Sequence, residues 1–288
     1  MTVRVVTDST CDIPGTIVAE LGITIVPLTV RFGDEEFLDG VDITSEQFFK
    51  RLQREQGTPT TAAPAPGQFR EAYERLASEG ATAIVSVHIS SKLSATYEAA
   101  RQAAEGCSVP VLFVDSRSFS LGTGMGVIEA AKAAQAGSTA EQVQAVAEDT
   151  FRRTHVFVTL ETLEYLRRGG RLSRGQEIVG TLLKVKPILT TQDGEVVAIS
   201  RIRTKQKAVE DILSRLADLR PWAYAFAVHA TTPDELAYIS DRYRGLSPET
   251  LVITGRMTPV IGVHAGPGGL GIGCVSAPDE QSPAFLPE

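Results

Sequence analysis

The chain is poor in the features that mark several large function classes. It contains no uninterrupted apolar run of about 18 residues, the length that a membrane-spanning helix needs. Its opening, MTVRVVTDST, lacks the apolar core and small-residue cleavage site of a secretory signal and reads as a strand entering a turn. Cysteine is scarce: Cys11, Cys107 and Cys274 are widely spaced and odd in number, which fits neither a disulfide framework nor a cysteine metal site. Excess positive charge is missing too. A formal net charge of −7 argues against a nucleic-acid partner. The expectation is a protein of the reduced cytoplasm, with at most transient membrane contact.

What is present suits a folded chain: 43% apolar and 22% charged residues over a length of 288, enough for one large domain or two ordinary ones. The first half alternates between strand-like and helix-like runs. VRVVTDS, ITIVPLTVRF, AIVSVHIS and VPVLFVDS are apolar and β-branched. Between and after them come helical patterns: PGTIVAELG, TSEQFFKRLQRE with Thr44 or Ser45 as cap, and roughly residues 94–104 and 122–136. Near-continuous apolar strands alternating with helices predict an α/β layer around a mainly parallel sheet. The rhythm changes near residues 148–155. Beyond it, two strand-like arms flank Asp193-Gly194, a hairpin signal, and KQKAVEDILSRLADL and PDELAYISDRY read as helices. The expected organisation is an N-terminal α/β domain over 1–150 and a C-terminal α+β domain with a mainly antiparallel sheet over 151–288, ending in a loose tail.

Three hydroxyl-rich loops follow strands: Asp8-Ser9-Thr10, Ser90 to Thr96, and Asp115 to Ser118. Such residues cap helices, and a helix start with a neighbouring hydroxyl also suits an anion. TPTTAAPAPGQF is either a stiff linker or a rigid arm presenting a threonine. In LEYLRRGGRLSR, Gly169-Gly170 would stop a helix, Ser173 would cap the next, and four arginines fall within eight residues. That cluster is either a solvated face or a site for an anion or acidic partner. VIGVHAGPGGLGIGCV contains G-x-G-x-x-G at residues 266–271. Pro267 within it and the lack of a following helix or acid argue against dinucleotide binding. There is no P-loop. What remains is a glycine-lined turn with His264 at its start.

Together VTDSTCDIP, PTTAAPAPGQF, ISSKLSATYEAA, VDSRSFSLGTG, LEYLRRGGRLS, KVKPIL and VIGVHAGPGGLGIG resemble, in order and along nearly the whole chain, the DegV family of bacterial fatty-acid-binding proteins (FakB type). The resemblance implies two domains with a long-chain fatty acid between and within them, and no other cofactor. It implies a monomer that presents the ligand carboxylate to a separate ATP-dependent fatty acid kinase (FakA type). The kinase makes acyl phosphate for phospholipid synthesis, so this chain would be a lipid-binding carrier and not the enzyme. Matched motif by motif, Thr61, Ser94, Thr96 and His264 would hold the carboxylate or its hydrogen-bond network. Arg171 would stabilise the phosphoryl charge or face the kinase. The family pattern Thr-Ser-Gln-Pro-Ser is Thr61-Ala62-Ala63-Pro64-Ala65 here, so Ala62 and Ala65 replace two hydroxyls, and Ala95 replaces a glycine.

Two other readings compete. One is a stand-alone phosphotransferase or hydrolase using Asp8 or Asp12, although Asp8-Ser9-Thr10 lacks the D-x-D spacing of aspartyl-phosphate enzymes and no metal-ligand cluster is visible. The other is a lipid-bound regulator acting through a protein partner.

Overall fold

The computed structural model describes residues 2–55, 57–172, 185–279 and 282. In chain order the first half holds β1 (Val3–Asp8), a 3-10 turn (Ser9–Cys11), α1 (Gly15–Leu21), β2 (Thr24–Val26), β3 (Thr29–Phe32), β4 (Glu35–Leu38), α2 (Ser45–Arg54), β5 (Thr60–Ala62), α3 (Pro66–Ser78), β6 (Ala83–His88), α4 (Thr96–Ala103), β7 (Val111–Asp115), α5 (Leu121–Gln135) and α6 (Ala140–Arg153). The second half holds β8 (Thr154–Thr159), α7 (Glu164–Arg168), β9 (Lys186–Gln192), β10 (Glu195–Ile202), α8 (Lys205–Ala217), β11 (Trp222–His229), α9 (Pro233–Leu246), β12 (Leu251–Arg256), α10 (Pro259–Ala265) and β13 (Leu270–Ser276).

The expected parallel sheet is present, in the order β2-β1-β6-β7. Every residue of β6 is buried, as its unbroken apolar pattern requires of a strand covered on both faces. One cover is α5, whose Leu121, Met125 and Ile128 are buried. Its SLGTGMG start lets it lie close: a Cβ on Gly126 would stand 2.2 Å from the Phe151 ring of α6.

The second sheet runs β10-β9-β8-β13-β11-β12 and is antiparallel except for the β11–β12 pair. Asp193 and Gly194 both take positive φ, the geometry of the tight hairpin predicted at that pair. Thr44, not Ser45, caps α2. Its hydroxyl accepts from Gln47 N at 3.3 Å while Gln47 Oε1 accepts from Thr44 N at 2.9 Å.

Several sequence expectations need correction. ITIVPLTVRF is not one strand. It breaks around Pro27, and β2 and β3 belong to different sheets. Of the two readings of the proline-rich loop, the stiff linker gives way to a fixed arm: Thr60–Ala62 pairs with β3, completing a small β4-β3-β5 sheet that the sequence pattern does not announce. The glycine-dense C-terminal stretch begins as a helix, with His264 in the last turn of α10, and continues as the buried strand β13. Ser173 and its expected cap lie outside the described residues, as does Arg174. No helix among the described residues is long and apolar enough to cross a membrane.

Candidate functional site

A cavity lies between the two halves of the chain. Counting its open mouth, the space amounts to about 650 Å³. Twelve of its seventeen lining residues are apolar, among them Leu28, Phe119, Leu160, Leu189, Val196 and Ile261. The apolar residues come from the β2–β3 connection, the loops after β6 and β7, β8 and the loop after it, α7, the β9–β10 hairpin and α10. The hairpin tip is fastened across the cleft, where Ser90 Oγ donates to Gly194 O at 2.7 Å.

Five polar residues line the same cavity: Thr10, Thr61, Ser94, Arg171 and His264. Four of them form a connected rim. Thr61 Oγ1 and His264 Nε2 lie 3.2 Å apart, bringing β5 to α10. The His264 ring rests on Gly169, whose carbonyl accepts from Arg171 Nη1 at 2.6 Å. Arg171 Nε donates to Leu93 O at 3.1 Å, one residue before Ser94. Burial, and then the positive charge of Arg171, pull the His264 imidazole down to about 4, so it is neutral at pH 7. Its Nδ1 is buried and makes no hydrogen bond.

Thr96 takes a different place from the other sequence-identified residues. It is fully buried and is not among the residues lining the cavity. Its Oγ1 lies 2.8 Å from Ser94 Oγ, and its backbone N donates to the same oxygen at 3.3 Å. Thr96 thus supports Ser94 from behind. The arginine cluster also divides. Arg167 and Arg168 pair with Glu164 on α7, while Arg171 turns into the cavity wall.

Asp8 and Asp12, the nucleophile candidates of the competing enzyme reading, do not line the cavity. Both are buried. Asp8 accepts from Thr10 N at 3.0 Å and Ile89 N at 3.1 Å, and pairs with His88 Nδ1 at 2.9 Å. Burial pulls its carboxyl up, but His88 and these donors hold it below the ordinary carboxylate range. Asp12 accepts from the Ser120 hydroxyl and, at 2.7 Å, from Thr258 N, tying the loop after β1 to the start of α10. Burial pushes Asp12 up to about 7, against the Ser120 hydrogen bond.

Two site residues escape the sequence reading. Thr10 lines the cavity with its hydroxyl committed to Asp8, although its loop is one of the three hydroxyl-rich ones. Gly169 reads locally as a helix stop, and nothing near it in sequence signals its contact with His264. The glycines of the C-terminal motif, in turn, serve close packing. A Cβ on Gly266 would stand 2.3 Å from the Tyr165 ring, and one on Gly268 2.6 Å from Glu161. Among the described residues no group of three or more His, Cys, Asp or Glu side chains could hold a metal ion.

Known proteins share this fold over nearly their full length. The family described as "Uncharacterised protein, DegV family" matches residues 2–277. A DegV domain-containing protein of Halalkalibacterium halodurans is 36% identical over 276 residues, covering 94% of this chain and 97% of its own. One of Streptomyces coelicolor is 37% identical over 274 residues, with the same coverage. Among solved structures, a fatty-acid-binding DegV family protein from Thermus thermophilus has 35% identity and a TM-score of 0.87, covering 96% of this chain and all of that one. DegV from Bacillus subtilis, a fatty acid binding protein, has 31% identity and the same TM-score, covering 96% of this chain and 99% of that one. With the family match spanning residues 2–277, and relatives similar in sequence and fold over nearly the full chain, the chain belongs to the DegV family.

Proposed function

We propose that this protein binds a long-chain fatty acid in the cavity and presents its carboxylate, at the Thr61–His264–Arg171–Ser94 rim, to a separate ATP-dependent kinase that forms acyl phosphate. The observation that carries the reading is the composition of the cavity wall: apolar over most of its residues, with hydroxyls, a neutral imidazole and a guanidinium linked into one rim. The fatty-acid-binding relatives from Thermus thermophilus and Bacillus subtilis support it.

The two ends of the ligand ask for different chemistry. Each buried methylene contributes about 0.8 kcal/mol, so a long acyl chain supplies on the order of 10 kcal/mol before ordering costs. The tail therefore sets affinity. A hydrogen bond to a charged group adds about 1.5–3 kcal/mol, enough to fix the pose of the head. A carboxylate buried without donors would take up a proton and lose its nucleophilicity.

The rim meets that need through proton placement. With Nε2–H donating to Thr61 Oγ1, the Thr61 proton is free for a ligand oxygen. With Thr96 donating twice to Ser94 Oγ, the Ser94 proton is likewise free. Arg171 adds a fixed positive charge where phosphate charge would develop. The carboxylate oxygen attacks the γ-phosphorus of ATP held by the kinase, and ADP leaves.

The test is acyl phosphate formation from ATP and fatty acid with a bacterial fatty acid kinase. Product that requires both proteins supports the reading. ATP turnover by this chain alone would return attention to an enzyme in its own right, and fatty acid binding without product would favour a lipid-bound regulator.

A further inference from the structure

Glycine at position 169 has no backbone cause. As the residue closing α7 it has φ −71° and ψ −8°, torsions open to any L-residue. Gly170 differs, since its φ of 68° is left-handed. The cause at 169 lies in space. A Cβ there would stand 2.1 Å from His264 Nδ1 and 2.7 Å from His264 Cε1, with Tyr165 O next at 3.2 Å. The ring therefore occupies the volume that any side chain at 169 would fill. On its other side the residue offers its carbonyl, which accepts from Arg171 Nη1 at 2.6 Å. A single residue thus touches both the imidazole and the guanidinium of the rim, and it joins α7 to α10 across 95 positions of sequence.

We propose that Gly169 is a positioning residue: its bare Cα seats the His264 ring, and its carbonyl sets Arg171 beside that ring, so the two groups are held as one unit. The effect on phosphoryl transfer rests on the function proposed above; the seating of His264 does not.

The test compares the wild type with Gly169→Ala, His264→Ala and the double variant. Gly245→Ala serves as control, because a Cβ at that helical site meets nothing within 4 Å. Ala is compatible with the torsions at 169, so folding is expected to survive. In Gly169→Ala the displaced ring gains solvent, and its NMR titration rises from about 4 toward the ordinary value of 6.5. Kinase-dependent turnover falls by about tenfold or more, as overpacking at a fitted contact predicts. In the His264→Ala background the same change costs less than about twofold, because the clashing ring is gone. An unchanged His264 titration in Gly169→Ala, or equal losses in both backgrounds, overturns the proposal. Should the wild type give no acyl phosphate, the functional reading fails, and the His264 titration still decides the role of Gly169.

Discussion

Thr61 Oγ1 meets His264 Nε2 at 3.2 Å across 203 positions of sequence. The contact joins an edge strand of the small N-terminal sheet to the last turn of α10. In the function proposed above, it divides the labour at the rim: the imidazole holds the threonine oxygen and leaves the threonine proton for the ligand. Thr61→Val keeps the shape and removes the hydroxyl. It is expected to lower kinase-dependent acyl phosphate formation by about 10-fold to 100-fold, the equivalent of one charge-assisted hydrogen bond. Fatty acid affinity should change far less, since the acyl chain dominates it. Turnover equal to the wild type would remove Thr61 from the headgroup site. His264→Ala is expected to show the same separation between turnover and binding.

Arg171 is anchored by two carbonyls, Leu93 O and Gly169 O, and by no carboxylate in the described contacts. Its charge is therefore available to a ligand or phosphoryl group. Arg171→Ala should retain fatty acid and lose turnover, and Arg171→Lys should recover part of it, because a lysine restores the charge but not the fork geometry. Loss of fatty acid binding in Arg171→Ala would instead make it a residue that holds the ligand itself.

Ala65 occupies the N-cap of α3 with φ −67° and ψ 148°, exposed and without a side-chain oxygen. Gln68 Oε1 already accepts from Ala65 N at 2.9 Å, so half of a capping box is in place. Ala65→Ser supplies the other half and should raise stability to unfolding by about 0.5–2 kcal/mol in denaturant titration. A neutral or negative change would mean that the serine hydroxyl does not reach the helix start.

Asp39 is buried beside Asp12 at the start of α10. Its Oδ2 accepts from Ser9 Oγ at 2.7 Å, while Oδ1 is without a partner. Burial pushes it up to about 7 from 3.8. The folded state therefore binds more protons than the unfolded state between those values, and stability falls as pH rises through the window. Relative to Asp39→Asn, the wild type should lose at most about 1.4 kcal/mol per pH unit as pH rises from 5 to 7. Parallel stability curves for the two proteins would show that Asp39 is ionised throughout.

Much of this could be read from the chain. The apolar runs at β1, β6 and β7, the change of rhythm near residue 150 and the Asp193-Gly194 hairpin all rest on local pattern, and local pattern decided them. The sequence reading leaves α6 unassigned although Thr139 and Gln142 form a capping box at its start, a signal present but unread. Other features had no local signal. Prolines at 59 and 64 bracket β5 and suggest a linker, yet pairing with β3 makes residues 60–62 a strand. Thr61, Ser94, Arg171 and His264 were identifiable by motif, whereas the contacts joining them depend on how two sheets are set together. The cavity wall is less legible still, because Leu28, Leu160 and Val196 come from separate elements and none is unusual in its own segment.

The central claim is that the cavity holds an acyl chain. Its most direct test is organic extraction of the purified, folded protein followed by mass analysis, with fatty acid added back to stripped protein and to Val196→Trp, which fills the apolar wall. The account predicts one long-chain fatty acid per wild-type protein, recovered on extraction or taken up on addition, and reduced uptake by Val196→Trp. An empty extract with no uptake by the wild type would contradict it.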